Sequence, residues 1–362
     1  MARKRRQTDK DEPGIDPGDD WVECGGELIF AVGFTEGGFP YGSTLRQYRE
    51  SNADQSPGAG WARAKRAIEQ VCSAEAGREV DVGFVKFVAS GLSRDAFRAE
   101  VDGKAGDVFA LVPNRGAAPD HAHQTIGELR LLHALSARQL PFRVPKALGA
   151  WRDDGGIILV EEHLPGLPLD LRAGRQGQVQ PWLEVGRVAA AIHAVPVQEL
   201  PPGLFTSSDC AGHAEALARS VAGDETELRE ACDWMLEHLP PAEPGVLLHG
   251  DLLGQNVLLG VGEPAGVIDW ERAEIGDPAY DLAIVTRGVR QPFQVPDGLA
   301  RLLTAYAGAG GRELAPSRVW FYELGLLASQ YKAALLDQRG DVLGARQRLR
   351  AMLTRLQSSP QS

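Results

Sequence analysis

The chain of 362 residues is poor in the features that mark several functional classes. Its four cysteines, Cys24, Cys72, Cys210 and Cys232, lie far apart with no CxxC pair, which argues against a disulfide framework or a zinc ribbon. No run of about 18 apolar residues occurs, so no transmembrane helix is expected. The basic start MARKRR is not followed by an apolar stretch, so no secretory signal is read there. Positive charge is in deficit, 38 Lys+Arg against 49 Asp+Glu, whereas a nucleic-acid binder needs clustered Lys and Arg to meet phosphates. No internal repeat is visible. The apolar share of 43% is ordinary for a globular chain, and a cytoplasmic protein with no nucleic-acid and no membrane partner is the expectation.

Composition divides the chain. Residues 1–20 mix basic, Asp, Pro and Gly residues without hydrophobic period and read as a flexible tail. Residues 21–79 carry a strand-like run, Gly26–Thr35, a Gly/Pro turn at Glu36–Gly42, a loop at Ser51–Gly60 and a helical pattern at Trp61–Cys72, but no chemical motif. They read as an accessory N-terminal module. Residues 80–163 are strand-rich, with Val82–Ser90, Ala96–Gly103, Asp107–Asn114 and Gly155–Gly166 as β runs, and a helix at Gln124–Arg138 with Ile126, Leu129, Leu132 and Leu135 in period. Residues 164–357 are mostly helical, and 358–362 form a second tail. The predicted architecture is α+β and bilobal: a small β-rich lobe and a larger helical one, joined near Glu161–Leu164.

Chemistry concentrates in Leu247–Leu259 and Gly266–Ala283. Short apolar pieces at Val246–Leu248, Val257–Leu259 and Val267–Ile268 read as buried strands that bring Asp251, Asn256 and Asp269 to the mouth of a small sheet. Mg²⁺ takes oxygen ligands and is commonly held by one or two side chains plus substrate phosphates, which Asn256 and Asp269 can supply. A separate carboxylate, Asp251, can accept a hydroxyl proton. The 18 residues from Asp251 to Asp269 allow an out-and-back hairpin that sets the two side by side.

His249-Gly250-Asp251-Leu252 followed by Asn256 resembles the catalytic loop of the aminoglycoside phosphotransferase family, small-molecule kinases with a protein-kinase-like fold. Ile268-Asp269-Trp270-Glu271 resembles that family's metal-binding segment, and Gly276–Ala283 the stretch behind it. The resemblance implies Asp251 as the catalytic aspartate, Asn256 and Asp269 as Mg²⁺ ligands, ATP or GTP as donor and a small-molecule hydroxyl as acceptor, possible acceptors including aminoglycosides or other antibiotics. It assigns Asp277 and Asp281 to bracing and His249 to structure. Ser90, Gly91 and Ser93 fall where a phosphate-covering loop is expected, Glu128 where the family places a helix glutamate, and Glu161 and His163 in the hinge strand whose backbone reads the base.

One position departs from the family pattern. The strand Val108–Pro113 has Leu111 or Val112 where a phosphate-gripping Lys or Arg belongs, which leaves Lys86, Arg94 or Arg115 as substitutes, Arg115 being preferred. That gap supports an alternative reading, a nucleotide-binding pseudokinase or scaffold. Glu271 and Glu274 would suit a cationic acceptor, and Trp320, Phe321, Tyr322 and Tyr331 would form either an apolar acceptor pocket or core.

Overall fold

The computed structural model describes residues 21–24, 27–34, 40–44, 58–91, 93–104, 106–114, 117, 120–172, 180–205, 209–336 and 341–358. The tail at 1–20, most of the turn at 36–42, the loop up to 57, Arg115 and the last four residues lie outside these. The chain forms two compact units, one built from the chain up to Thr125 with Ala147–His163, the other from Ile126–Lys146 with Leu164 onward.

The first unit holds a three-stranded antiparallel sheet, β1 (Trp21–Cys24), β2 (Glu27–Phe34) and β3 (Pro40–Thr44). Helix α1 (Gly58–Ala76) follows. A five-stranded antiparallel sheet comes next: β4 (Val82–Ser90), β5 (Arg94–Val101), β6 (Asp107–Pro113), β7 (Ala147–Asp153) and β8 (Gly156–Glu162), in spatial order β4-β5-β6-β8-β7. Alternation sends Phe97, Ala99 and Val101 of β5 and Val108, Ala110 and Val112 of β6 to one face. That face needs an apolar cover. Helix α1 provides it with Ala64, Ala67, Ile68, Val71 and Cys72, a stripe at helical spacing buried in the same core. Arg63 adds a two-pronged ion pair to Asp153 of β7, 2.6 and 2.9 Å. The expected division at residues 79/80 falls between α1 and the sheet whose core α1 completes. Its amphipathic pattern was legible in the sequence, but the surface it covers was not.

Helix α2 (His121–Ser136) starts three residues before its expected N-terminus, and its buried residues are His121, Thr125, Glu128, Leu131, Leu132 and Leu135. Ile126 is exposed, so the inward stripe is rotated from the predicted one.

The second unit carries α3 (Pro181–His193), α4 (Cys210–Val221), α5 (Thr226–Glu237), α6 (Ala279–Thr286), α7 (Gly298–Gly308), α8 (Pro316–Leu336) and α9 (Val342–Ser358). Its strands are β9 (Leu167–Pro168), β10 (Val246–Leu248), β11 (Val257–Leu259), β12 (Gly266–Val267) and β13 (Glu274–Gly276). The apolar pieces flanking the motif do not share one sheet: β10 pairs with β13, while β11 pairs with β12 and β9. Phe321, Tyr322 and Tyr331 of α8 are buried core, and Trp320 lies under the Arg355 guanidinium at 4.0 Å. Among the described residues no helix is long and apolar enough to cross a membrane.

Candidate active site

Strand β10 ends at Leu248 and delivers His249, Gly250 and Asp251 into a turn. Gly250 has φ 78°, and a Cβ there would lie 1.9 Å from the Arg272 carbonyl oxygen, so the close approach of these two segments requires glycine. The turn has no ladder partners of its own. Asp281 of α6 supplies them: its carboxylate accepts from His249 N at 2.8 Å and Gly250 N at 2.9 Å. His193, at the end of α3, lies with Nε2 3.1 Å from Asp281 Oδ2 and Nδ1 2.9 Å from the Tyr306 hydroxyl of α7. Burial opposes charge on Asp281, but the hydrogen bonds from His193 and the His249 amide outweigh it and hold the carboxyl below its ordinary range.

The His249 ring ties two segments together. Nδ1 accepts from Asp251 N at 3.2 Å, which leaves the ring proton on Nε2, donated to the Ile268 carbonyl at 2.9 Å. Ile268 N in turn donates to the Asn256 carbonyl at 3.0 Å. Trp270, buried, donates Nε1–H to the Val267 carbonyl at 3.0 Å and packs against His249 and Phe142. Between these anchored neighbours Asp269 is held at φ 67°, a left-handed conformation that costs a non-glycine residue about 1–2 kcal/mol. Such strain persists only where the surroundings fix it.

Asn256 is the last residue of a single 3-10 turn, Gly254–Asn256. Its Nδ2 donates to the Asp251 carbonyl at 2.9 Å and faces Asp251 Oδ2 at 3.4 Å. The Asp251 carboxyl is pushed above its ordinary range by burial and then by the Asp269 charge, the sign of two carboxylates near one point. Asp251, Asn256 and Asp269 are thus gathered in the second unit. A hard cation fits this donor set: two carboxylates, the charge of one raising the cost of ionising Asp251, and an amide whose NH₂ end is used on Asp251, so that oxygen is what it can offer a metal. Among the described residues no group of three or more His, Cys, Asp or Glu forms an all-protein cage.

The rest of the Gly276–Ala283 run is structural. A Cβ at Gly276 would meet the His213 ring at 2.5 Å. Asp277 accepts from Ala279 N at 3.0 Å and pairs with Arg318 of α8 at 2.7 Å, so it braces α6 and α8 and not the His249–Asp251 turn. Glu274 lies 3.4 Å from His213 Nε2 and is engaged there. The pair His193 and Tyr306 was not reached from the sequence; no local pattern announces partners 113 residues apart.

The remaining predicted residues lie in the first unit, apart from Glu128. Ser90 Oγ donates to Asp95 Oδ1 at 2.7 Å, Gly91 N to the Arg94 carbonyl at 2.7 Å, and Ser93 O accepts from Asn114 N at 3.0 Å. They form a tight hairpin turn. Glu161 stands in register with Phe109, and the His163 ring stacks on Phe109 at 5.4 Å. Burial, then the Arg98 charge, lower the His163 pKa. Glu128 is 4% exposed, not the solvated glutamate that a helix surface would give.

The comparisons agree with this anatomy. Residues 85–320, well over half the chain, match the family described as "APH: Phosphotransferase enzyme family". Viomycin phosphotransferase of Streptomyces vinaceus is 33% identical over 184 residues, 44% of this chain and 61% of that protein. This chain's match therefore spans less than two thirds of that relative. Aminoglycoside 3'-phosphotransferase of Streptomyces fradiae is 26% identical over 231 residues, 60% of this chain and 84% of that one. In fold, the chain resembles macrolide 2'-phosphotransferase MphH from Brachybacterium faecium, with TM-score 0.53, 23% identity, and 80% and 97% of the two chains covered. It also resembles a thermostable mutant of aminoglycoside phosphotransferase APH(4)-Ia in ternary complex with AMP-PNP and hygromycin B, with TM-score 0.59, 18% identity, and 81% and 99% covered. The fold is the α+β, protein-kinase-like one of these enzymes, and the chain belongs to the APH phosphotransferase enzyme family.

Proposed function

We propose that this protein transfers the γ-phosphoryl group of ATP or GTP to a hydroxyl of a small molecule, with hydroxylated antibiotics as the first acceptors to test. The observation that carries the reading is the locked cluster of Asp251, Asn256 and Asp269, held by His249 and Asp281. In the step, the acceptor oxygen bonds to the γ-phosphorus while the bond from that phosphorus to the β–γ bridging oxygen breaks. The electron pair stays on the departing diphosphate, and the hydroxyl proton passes to Asp251. The raised carboxyl of Asp251 suits a proton acceptor whose partner is a hydroxyl. Asn256 and Asp269 would hold Mg²⁺, which when bound neutralises charge on the phosphate oxygens. The curated relatives named above, and streptomycin 3''-kinase of Streptomyces griseus, point to antibiotic acceptors. The site residues and the cytoplasmic location are part of this proposal.

The absence of Lys and Arg from β6 favours the second reading, a nucleotide-binding pseudokinase. One assay separates the two. Purified full-length protein is given Mg²⁺, ATP or GTP and a panel of viomycin, aminoglycosides, macrolides and simple alcohols, and phosphorylated acceptor is measured by mass. Transfer that Asp251→Asn abolishes supports the kinase; nucleotide binding without transfer to any acceptor supports the pseudokinase.

A further inference from the structure

We infer that Arg94, on β5, supplies the positive charge that β6 lacks and meets the α- and β-phosphates of the nucleotide. The inference rests on the phosphotransferase reading and locates its donor grip. The face of β5 and β6 that α1 covers takes Phe97, Ala99, Val108, Ala110 and Val112. Alternation therefore puts Arg94, Ala96 and Arg98 on the opposite face with Phe109, Leu111 and Pro113. Leu111 pairs with Ala96 and Pro113 with Arg94, so Arg94 stands one rung along from the position that lacks its cation. Diagonal neighbours on a sheet face are about 7–8 Å apart, within reach of a long side chain.

The backbone that carries Arg94 is fixed. Its carbonyl closes the turn by accepting from Gly91 N at 2.7 Å, and the adjoining Asp95 accepts from Ser90 Oγ at 2.7 Å and Asn114 Nδ2 at 3.1 Å. The same turn that would cover phosphates thus ends on the arginine. Arg94 is 6% exposed, and a guanidinium is seldom buried so deeply without a structural or functional demand for its charge. Of the other described cations on these strands, Arg98 pairs with Asp107, and Lys86 on β4 and Arg152 on β7 are exposed.

The test is the dissociation constant of MgATP and of MgGTP, measured by calorimetry on the full-length wild type and on Arg94→Gln, Arg94→Lys, Arg98→Gln, Arg115→Gln and the double variant Arg94→Gln/Leu111→Lys. Loss of a charge-assisted contact should weaken nucleotide binding of Arg94→Gln by at least about tenfold. Arg98→Gln should bind as wild type, and Arg94→Lys should keep most of the affinity. The double variant should recover it, because the charge then comes from β6, a rescue that a purely structural arginine would not allow. Unchanged affinity in Arg94→Gln, or a loss seen in Arg115→Gln instead, overturns the inference. So does a loss that comes with a lowered melting temperature and that neither Arg94→Lys nor Leu111→Lys relieves. Wild type that binds neither nucleotide would instead sink the phosphotransferase reading, and this inference with it.

Discussion

Asp281→Asn removes one charge and leaves the shape of the side chain intact. The wild-type carboxylate accepts three hydrogen bonds, from His249 N at 2.8 Å, Gly250 N at 2.9 Å and His193 Nε2 at 3.1 Å. An asparagine offers one oxygen, and its NH₂ faces at least one of the same donors. A buried donor left unmet costs about 1–3 kcal/mol, and removing one member of a buried charged network about 3–5 kcal/mol, so a loss near 3 kcal/mol is expected. Hydrogen exchange reads it locally: the His249 and Gly250 amides should lose protection by more than distant core amides do, and transfer activity should fall because Asp251 follows them in the turn. The pH dependence has a defined sign. The Asp281 pKa is held below its unfolded value, so its stabilisation is complete above that unfolded value, near pH ~3.9, and is lost as pH falls through the folded one. Wild type and variant should therefore converge in acid. A variant within about 0.5 kcal/mol of wild type at pH 7, with unaltered exchange at both amides, would refute the bracing role.

Gly250→Ala should be more damaging than a surface glycine substitution, because its Cβ would meet Arg272 O at 1.9 Å; recovery of soluble protein with native melting would contradict that packing. Deleting residues 1–79 should yield insoluble or unfolded protein, since it strips Ile68, Val71 and their neighbours from the sheet, at about 1.5–3 kcal/mol for each large side chain; a soluble, cooperatively melting product would restore the accessory-module reading. Asp251→Asn should melt at a higher temperature than wild type in metal-free buffer at pH 7, because burial and Asp269 raise the wild-type carboxyl and its ionisation opposes folding there. The difference should vanish as pH falls and Asp251 is protonated; a lower melting point for the variant at pH 7 would count against this charge argument.

Much of the candidate site was legible because its signals are local. Asp251, Asn256 and Asp269 sit beside short apolar runs that became β10, β11 and β12 within about a residue of their expected limits. The pairing was less accessible. Nothing in Val246–Leu248 says that its partner is Glu274–Gly276 and not the neighbouring hairpin, because three-residue strands carry too little alternation to choose. Helix α1 shows the same limit on a larger scale. Its stripe announces a buried face, whereas the sheet it covers is assembled from strands as distant as Gly156–Glu162. The rotation of α2 has a different cause: Glu128 is buried, and a pattern read from apolar residues alone cannot assign an acid to the inner face. Asp281 was marked for bracing by the resemblance, but its partner His193 and the next link, Tyr306, were hidden because a network joined across three helices leaves only single residues in the sequence.

The account turns on Asn256 and Asp269 serving one divalent ion beside Asp251. Calorimetric titration of nucleotide into wild type and Asp269→Asn, each with and without Mg²⁺, addresses it directly. Wild type should bind nucleotide more tightly when Mg²⁺ is present, and Asp269→Asn should lose that gain while keeping the metal-independent affinity. An Asp269→Asn protein with the full Mg²⁺ dependence of wild type would contradict the account.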